Sequence, residues 1–142
     1  MTDATPKYGQ GDASFIAAGG VDGITALVDA FYAHMDTLPE AQVIRRMHPA
    51  DLTVSKDKLA RFLCGWLGGP KRYQPRYGSI RIPHAHARFP IGEAERDAWM
   101  SCMTKAAAEQ PYEEEFRRYL LRALAVPAER VRAVCQARRA ER

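Results

Sequence analysis

Two histidines, His84 and His86, lie in a stretch of the chain that carries five basic residues and no acidic one. An imidazole nitrogen binds transition metals and exchanges protons near neutral pH, although the i, i+2 spacing alone is a weak sign of a metal site. The phenol of Tyr32 and the indole of Trp99 lie within otherwise apolar stripes. Such side chains are usually core residues with a hydrogen-bonded tip, but they are also donors that can serve a buried site.

The basic stretch runs from Lys71 to Arg88 and predicts an anionic partner: nucleic acid, a phosphate, or the carboxylates of a cofactor. The chain has 21 basic and 17 acidic residues, and the basic excess lies in residues 55–142, because residues 1–54 hold only three basic and seven acidic residues. A solvated loop without a partner is the alternative. Neither a recognition helix nor an aromatic-rich strand is visible, so we expect no nucleic acid.

Length and composition are typical of one soluble domain, with 142 residues of which 46% are hydrophobic. No apolar run reaches about 18 residues, so we expect no membrane-spanning helix. The start of the chain lacks a basic region followed by an apolar stretch and does not resemble a secretion signal. Three widely spaced cysteines argue against a disulfide framework and favour the cytoplasm, and without a CxxC motif a structural zinc site is not expected.

Apolar residues recur at helical spacing and predict four main helices, the first two in the N-terminal half. The first stripe runs from Ile24 to Met35, opens after Gly19-Gly20 and closes before Leu38-Pro39. The second runs from Leu59 to Leu67. We expect Ser55 to cap this helix and Gly68-Gly69-Pro70 to stop it.

The third stripe runs from Trp99 to Ala106 and follows acidic residues that suit a helix N-terminus. The fourth runs from Phe116 to Leu124. We expect Pro111 to open it, with Glu113 to Glu115 in its first turn, and Pro127 to end it, with a short basic helix to follow. Between the second and third helices, residues 68–92 hold four prolines and four glycines, so no long helix fits there. An irregular segment of about 25 residues is unusual without a task, and we expect function in it.

These residues resemble those of the group II truncated haemoglobins. The resemblance covers roughly residues 15–125, and its motifs follow the family's order and spacing. The motifs are Phe31-Tyr32, Phe62-Leu63, Gly65-Trp66-Leu67-Gly68-Gly69-Pro70, Tyr73, His86 followed by Phe89, and the run from Ala94 to Met100 with Cys102-Met103.

The resemblance implies an all-α fold, the 2-on-2 α-helical sandwich of a truncated globin, with a long irregular loop that carries the proximal histidine. It implies one globin domain over residues 1–142, with an N-terminal extension (1–14) and a basic C-terminal extension (127–142). The cofactor is then haem b, iron protoporphyrin IX, held non-covalently, which agrees with the absence of a CxxCH motif. The axial ligand falls on His86, and His84 becomes an exposed neighbour, near a haem propionate.

On the distal side, where a diatomic ligand binds, the resemblance places Tyr32, Trp99, Ser55 and His48. A donor aimed at bound O₂, which carries partial negative charge, holds it more strongly in a dry pocket. His48 takes a position that is commonly tyrosine in the family and would add a titratable donor there. The alternative is that His48 simply precedes Pro49 in a turn.

The remaining expected contacts are with the porphyrin and its propionates. Ser55 is small enough to leave an entrance open, whereas Leu59 restricts access. The side chains expected against the porphyrin are Leu59, Phe62, Leu63, Phe89 and Ile91, and those expected at the propionates are Tyr73, Arg76 and Arg81.

The implied function is reversible binding of O₂ and of other diatomic ligands, CO and NO, by a monomer or dimer that a reductase can serve. A peroxidase-like or nitric oxide-consuming enzyme would use the same residues, and turnover with a reductase separates the two. A haem-free helical module that grips an anion or nucleic acid is a third interpretation. Protein that stays colourless with added haem and shows salt-dependent DNA binding would favour it.

Overall fold

The computed structural model describes residues 8–79 and 89–140, with side chains to residue 137, and this part of the chain is helical without strands. None of its helices is long and apolar enough to cross a bilayer. The helices are α1 (Ala13–Ala17), α2 (Gly20–Thr37), a 3-10 helix (Pro39–Ala41), α3 (Gln42–Arg46), α4 (Thr53–Trp66), α5 (Gln74–Tyr77), α6 (Glu93–Ala108) and α7 (Glu114–Ala140).

The four long helices pack as a sandwich in which α2 contacts both α4 and α6, and α6 also contacts α7. Each contributes its predicted apolar stripe to one core. The stripe of α2 is buried along its whole length, and α6 buries Cys102 and Met103 beneath it. The expected 2-on-2 α-helical sandwich is confirmed.

The ends of α2 and α4 show which local signals decide a helix boundary. Helix α2 follows Gly19, whose φ of 89° is left-handed, and ends at Thr37 as expected. The prediction that Ser55 caps α4 is wrong, because the helix begins two residues earlier, at Thr53. Asp51 Oδ1 accepts hydrogen bonds from the Thr53 amide at 2.9 Å and from its hydroxyl at 2.7 Å. An aspartate that binds backbone amides in this way fixes the first turn.

The glycine pair at the end of α4 confirms the predicted stop. Gly68 has a φ of 92°, and its amide donates to the carbonyl of Gly65. A Cβ at Gly68 would lie 1.9 Å from the carbonyl oxygen of Gly11, and one at Gly69 would lie 2.3 Å from the ring of Phe15. Both positions therefore need glycine, because the N-terminal segment packs directly on the end of α4.

Helix α6 begins after Gly92, whose amide donates to Glu95 Oε1 at 2.8 Å, which agrees with acidic residues at this N-terminus. Helix α7 begins at Glu114 and not at Pro111, so the prediction of its start is three residues early. The guanidinium of Arg117 donates to the backbone carbonyls of the connection between the two helices. These acceptors are Ala107, Gln110 and Tyr112, at 3.1–3.2 Å, and they hold the connection in a non-helical turn.

The prediction that Pro127 ends the fourth helix is wrong, because α7 continues through it. Proline at this position removes the hydrogen bond to the carbonyl four residues earlier, which disfavours a helix interior. Contacts made by the side chains beyond Pro127, one of them with α6, offset this cost. Arg96 on α6 donates to Glu129 at 2.6 Å, Arg132 donates to the same carboxylate at 2.6 and 2.7 Å, and Cys135 is fully buried.

Replacing Glu129 by Gln tests this anchor. Hydrogen bonds from Arg132 and Arg96 lower the pKa of Glu129 from 4.5 to about 2. A carboxyl group with a lowered pKa in the folded state stabilises the fold above its unfolded pKa, and that contribution is lost as the pH falls toward 2. We therefore expect the free energy of unfolding of the natural chain to decrease between pH 4.5 and 2 more than that of Glu129→Gln.

Urea unfolding followed by circular dichroism at each pH measures the difference. Glu113→Gln, which removes an exposed carboxylate just before the same helix, is the matched control and should follow the natural chain. Parallel pH curves for the natural chain and Glu129→Gln would show that the carboxylate does not anchor α7.

Candidate functional site

One face of α4 is only half covered by the rest of the described chain. Ser55, Leu59, Phe62 and Trp66 follow each other at helical spacing and are all partly exposed. The rings of Phe62 and Trp66 stack at 6.3 Å between centroids, with an interplanar angle of 27°. Three large apolar side chains on one helix face bury more area when a further apolar group covers them, so this face fits a flat apolar ligand.

The neighbouring part of the α4 surface packs into the core. Leu63, Cys64 and Leu67 are buried, with exposed fractions of 0%, 0% and 3%. Leu63, which the sequence assigned to the porphyrin contact, therefore lies on the side of α4 that is anchored to the core.

Tyr32 on α2 is buried, with an exposed fraction of 5%, and its ring lies 5.0 Å from that of Phe31 and 5.6 Å from that of His48. Burial strongly raises the pKa of the phenol, and the opposing effect of the Arg45 charge is smaller. The hydroxyl of Tyr32 therefore keeps its proton at all physiological pH values. It is a neutral hydrogen-bond donor within the core.

Trp99 on α6 reaches the same region through Phe31. The rings of Phe31 and Trp99 lie 5.1 Å apart in an edge-to-face arrangement, so Phe31 touches both predicted distal donors. Sequence reasoning used Phe31 only as a residue of the apolar stripe and of the family motif, and it missed this role. The available signal was its position beside Tyr32 in the buried stripe of α2.

His48 lies at the end of α3, with its ring edge-to-face against Tyr32. Its Nδ1 is 2.8 Å from the carbonyl oxygen of Ile44. Because a carbonyl oxygen only accepts, Nδ1 must carry the proton, and the Nε2 of neutral His48 is then an acceptor. Arg45 holds the following turn by donating to the carbonyls of Pro49 and Ala50 at 3.0 and 3.1 Å.

A cavity of about 270 Å³ extends from the half-covered face of α4 to the segment that follows it. Phe62, Trp66 and Tyr73 supply aromatic walls and Lys71 supplies positive charge, whereas the guanidinium of Arg61 at the same cavity is paired with Asp57. The structure thus brings together Phe62 and Tyr73, which the sequence assigned to the porphyrin and a propionate. Aromatic walls beside a cation fit an apolar ring system that carries carboxylates. The sequence did not single out Arg61, because its place at the same cavity as Tyr73 depends on tertiary packing.

Arg76, the second residue assigned to a propionate, binds another partner. Its Nε lies 3.3 Å from Asp57 Oδ2 and 3.3 Å from the hydroxyl of Tyr77. The guanidinium is well exposed and helps to hold α5 against α4.

Three residues that matter to the sequence interpretation, His84, His86 and Arg81, lie outside the described residues. Phe89 and Ile91 lie just beyond them and are half-buried. The structure brings Tyr32 into ring contact with His48 and links it to Trp99 through Phe31, and at the edge of α4 it places Phe62 and Tyr73 at one cavity.

Comparison with known proteins identifies the family of the chain. Residues 14–132 match the model of the bacterial-like globin family. The group 2 truncated haemoglobin YjbI of Bacillus subtilis (strain 168) is 34% identical over 109 residues, which are 77% of this chain and 80% of the relative.

Solved structures give the same result. The group II 2-on-2 haemoglobin of Agrobacterium tumefaciens superposes with a TM-score of 0.79 at 35% identity, over 92% of this chain and 97% of that chain. The truncated oxygen-avid haemoglobin of Bacillus subtilis superposes with a TM-score of 0.76 at 32% identity, over 83% and 97%. With these matches across most of its length, the chain belongs to the bacterial-like globin family and is a haem-binding group II truncated haemoglobin.

Proposed function

We propose that this globin holds haem b with His86 as the axial ligand and binds O₂ reversibly on the side of Tyr32. The observation that carries the proposal is the set of ring contacts that joins Trp99 to Tyr32 through Phe31 and Tyr32 to His48. The Bacillus subtilis relative described as oxygen-avid supports O₂ as the ligand.

The apolar residues of the site would hold the porphyrin. Leu59 and Phe62 offer their partly exposed side chains from α4, Leu63 supports that helix from within the core, and Phe89 adds an apolar group next to the segment with His86. The propionates need positive charge and hydrogen-bond donors. Tyr73, with Lys71 and Arg61 at the same cavity, is suited to them, and Arg76 and Arg81 remain further candidates.

Each distal side chain has a distinct task in ligand binding. When bound, haem iron supplies the coordination of the diatomic ligand. The hydroxyl of Tyr32 donates one hydrogen bond to the ligand and stays neutral because burial raises its pKa. The indole N–H of Trp99 donates a second, and Ser55 leaves an entrance beside Leu59. Donors in a buried apolar site act more strongly than in water.

His48 differs from a tyrosine at the same position. With Nδ1 bound to the Ile44 carbonyl, the Nε2 of neutral His48 accepts and cannot donate. Only the protonated imidazolium donates from both nitrogens. We therefore assign stabilisation of bound O₂ near neutral pH to Tyr32 and Trp99, with His48 orienting Tyr32.

The same site would bind CO and NO. We place the protein in the cytoplasm, because its three cysteines are buried and form no disulfide in the described structure, as is usual in a reducing compartment. A reductase that keeps the iron ferrous is the partner this chemistry needs.

The first test is the absorption spectrum of the purified protein with haemin, reduced and exposed to CO. We expect a sharp Soret band that shifts with CO. His86→Gly should lose most of its haem, and added imidazole should restore the band, because free imidazole can take the vacated axial position. His84→Gly is the matched control and should retain haem. Normal retention in His86→Gly would move the axial ligand to another residue.

Tyr32→Phe and Trp99→Leu should each release O₂ faster. Each removes one hydrogen bond, worth about 0.5–1.5 kcal/mol, which corresponds to about two- to twelvefold in the dissociation rate. Stopped-flow measurement of O₂ release checks this. Tyr119→Phe, which alters a tyrosine on α7 beside Tyr8, should release O₂ at the natural rate. Unchanged rates in both distal variants would contradict the assignment of the donors.

The two described histidines should be opposite tautomers. His48 bonds a carbonyl through Nδ1, whereas His34 bonds the Glu109 carboxylate through Nε2 at 2.8 Å. Nitrogen-15 NMR of the haem-free chain at about pH 8.5, where imidazoles are neutral, should show a proton on Nδ1 of His48 and on Nε2 of His34. His48→Gln and His34→Gln assign the signals. A proton on Nε2 of neutral His48 would make it a donor and overturn the division of roles above.

A further inference from the structure

Helix α5 is tied to α4 by a cluster of polar side chains, Asp57, Arg61, Arg76 and Tyr77, which we call the Asp57 clasp. The hydroxyl of Tyr77 donates to Asp57 Oδ2 at 2.5 Å. Arg61 Nε bonds both carboxylate oxygens, at 2.9 and 3.0 Å. Arg76 approaches the same carboxylate from α5 at 3.3 Å.

The clasp holds Tyr77 in one orientation. The ammonium of Lys58 lies 5.3 Å from the centre of the Tyr77 ring, and the guanidinium of Arg76 lies 5.7 Å from it. The hydrogen bond from Tyr77 lowers the pKa of Asp57, and the bonds from Arg61 act in the same direction. The carboxylate is therefore ionised at neutral pH, where its hydrogen bonds are charge-assisted and stronger than neutral ones.

Polar contacts are what fix this part of the chain. Within the described structure, residues 68–79 contribute no side chain to the hydrophobic core. Before α5, two contacts attach the segment to α4. Arg61 donates to the carbonyl of Arg72 at 3.3 Å, and Arg72 donates to the sulfur of Cys64 at 3.8 Å. At the end of α5, the clasp through Tyr77 performs this task, and Gly78 with a φ of 83° then turns the chain.

His86 follows Tyr77 by nine positions in the sequence. We infer that Asp57 and Tyr77 are positioning residues for the axial ligand: they fix the start of the segment that carries His86 to the same helix that offers the apolar face for haem. The clasp thereby sets how long haem is retained. This inference rests on the proposed role of His86.

The test is the rate of haem transfer from the loaded protein to an excess of apomyoglobin. Tyr77→Phe removes only the hydroxyl, and Asp57→Asn keeps an oxygen acceptor but removes the charge. We expect Tyr77→Phe to lose haem about tenfold faster than the natural protein, which corresponds to about 1.4 kcal/mol, and Asp57→Asn to lose it at an intermediate rate.

A matched control lies on the neighbouring residue of the same helix. Lys56 pairs with Asp29 at 3.6 Å and so links α4 to α2 rather than to α5. Lys56→Gln removes a charge from α4 and should keep the natural rate of haem loss. The thermal midpoint of the haem-free chain should be the same for Tyr77→Phe and Lys56→Gln, because neither side chain belongs to the core.

Two further measurements separate positioning from general stability. The iron–histidine stretching frequency, read by resonance Raman in the reduced unliganded protein, should shift in Tyr77→Phe and not in Lys56→Gln. The double variant Asp57→Asn/Tyr77→Phe should lose haem more slowly than the product of the two single effects, because both single variants weaken the hydrogen bond between Tyr77 and Asp57. Additive effects would show that the two residues act separately and would contradict the clasp.

Failure of the inference differs from failure of the proposed function. A natural protein that shows a Soret band and retains it equally well in Tyr77→Phe overturns the clasp alone. A Soret band that survives in His86→Gly overturns the axial role of His86, whatever the clasp variants do.

Discussion

The packing of α2 against both α4 and α6 is the contact on which the rest of the structure depends. Its stripe from Ile24 to Met35 is buried on two sides, so α2 fixes the relative positions of the helices that form the site. Phe31 lies in this stripe and touches Trp99 from α6 as well as its neighbour Tyr32. The group of rings around Phe31 and Tyr32 is therefore a continuation of the core, and its geometry is as rigid as core packing allows.

The opposite edge of the site follows a different principle. After α4 the chain leaves the core, and charged and hydrogen-bonded side chains hold it on the helix surface. Polar contacts of this kind are weaker than buried apolar contacts and respond to pH and salt. The structure thus combines a rigid apolar core with an edge that polar contacts hold in place.

Hydrophobic periodicity was enough to predict the four long helices, because the apolar stripe that identifies each helix in the sequence is also the face that packs into the core. Local signals failed where a competing contact lay elsewhere in the chain. The low helix propensity of proline predicts that the helix ends at Pro127. The ion pair between Glu129 and Arg96 attaches α7 to α6 and stabilises the part of α7 beyond the proline. Serine is a favourable residue at a helix N-terminus, but the carboxylate of Asp51 accepts the hydrogen bond from the amide of Thr53, the first residue of α4.

The resemblance to a family supplied Tyr32 and Trp99, and the structure added what only tertiary packing can show. The contact between Phe31 and Trp99 and the place of Arg61 at the cavity depend on residues that are distant in the sequence. The proton on Nδ1 of His48 depends on the single carbonyl of Ile44. Contacts of this kind produce no periodic pattern in the sequence.

The two glycines that end α4 have a consequence for the beginning of the chain. Because neither glycine has a side chain, residues 11–15 can pack closely against the end of α4. The Phe15 amide also donates to the carbonyl of Leu67 at 3.0 Å. The residues before the first long helix thus cover the end of α4. A side chain at Gly68 or Gly69 would displace residues 11–15 from the end of α4, so the packing of the leading segment depends on both glycines.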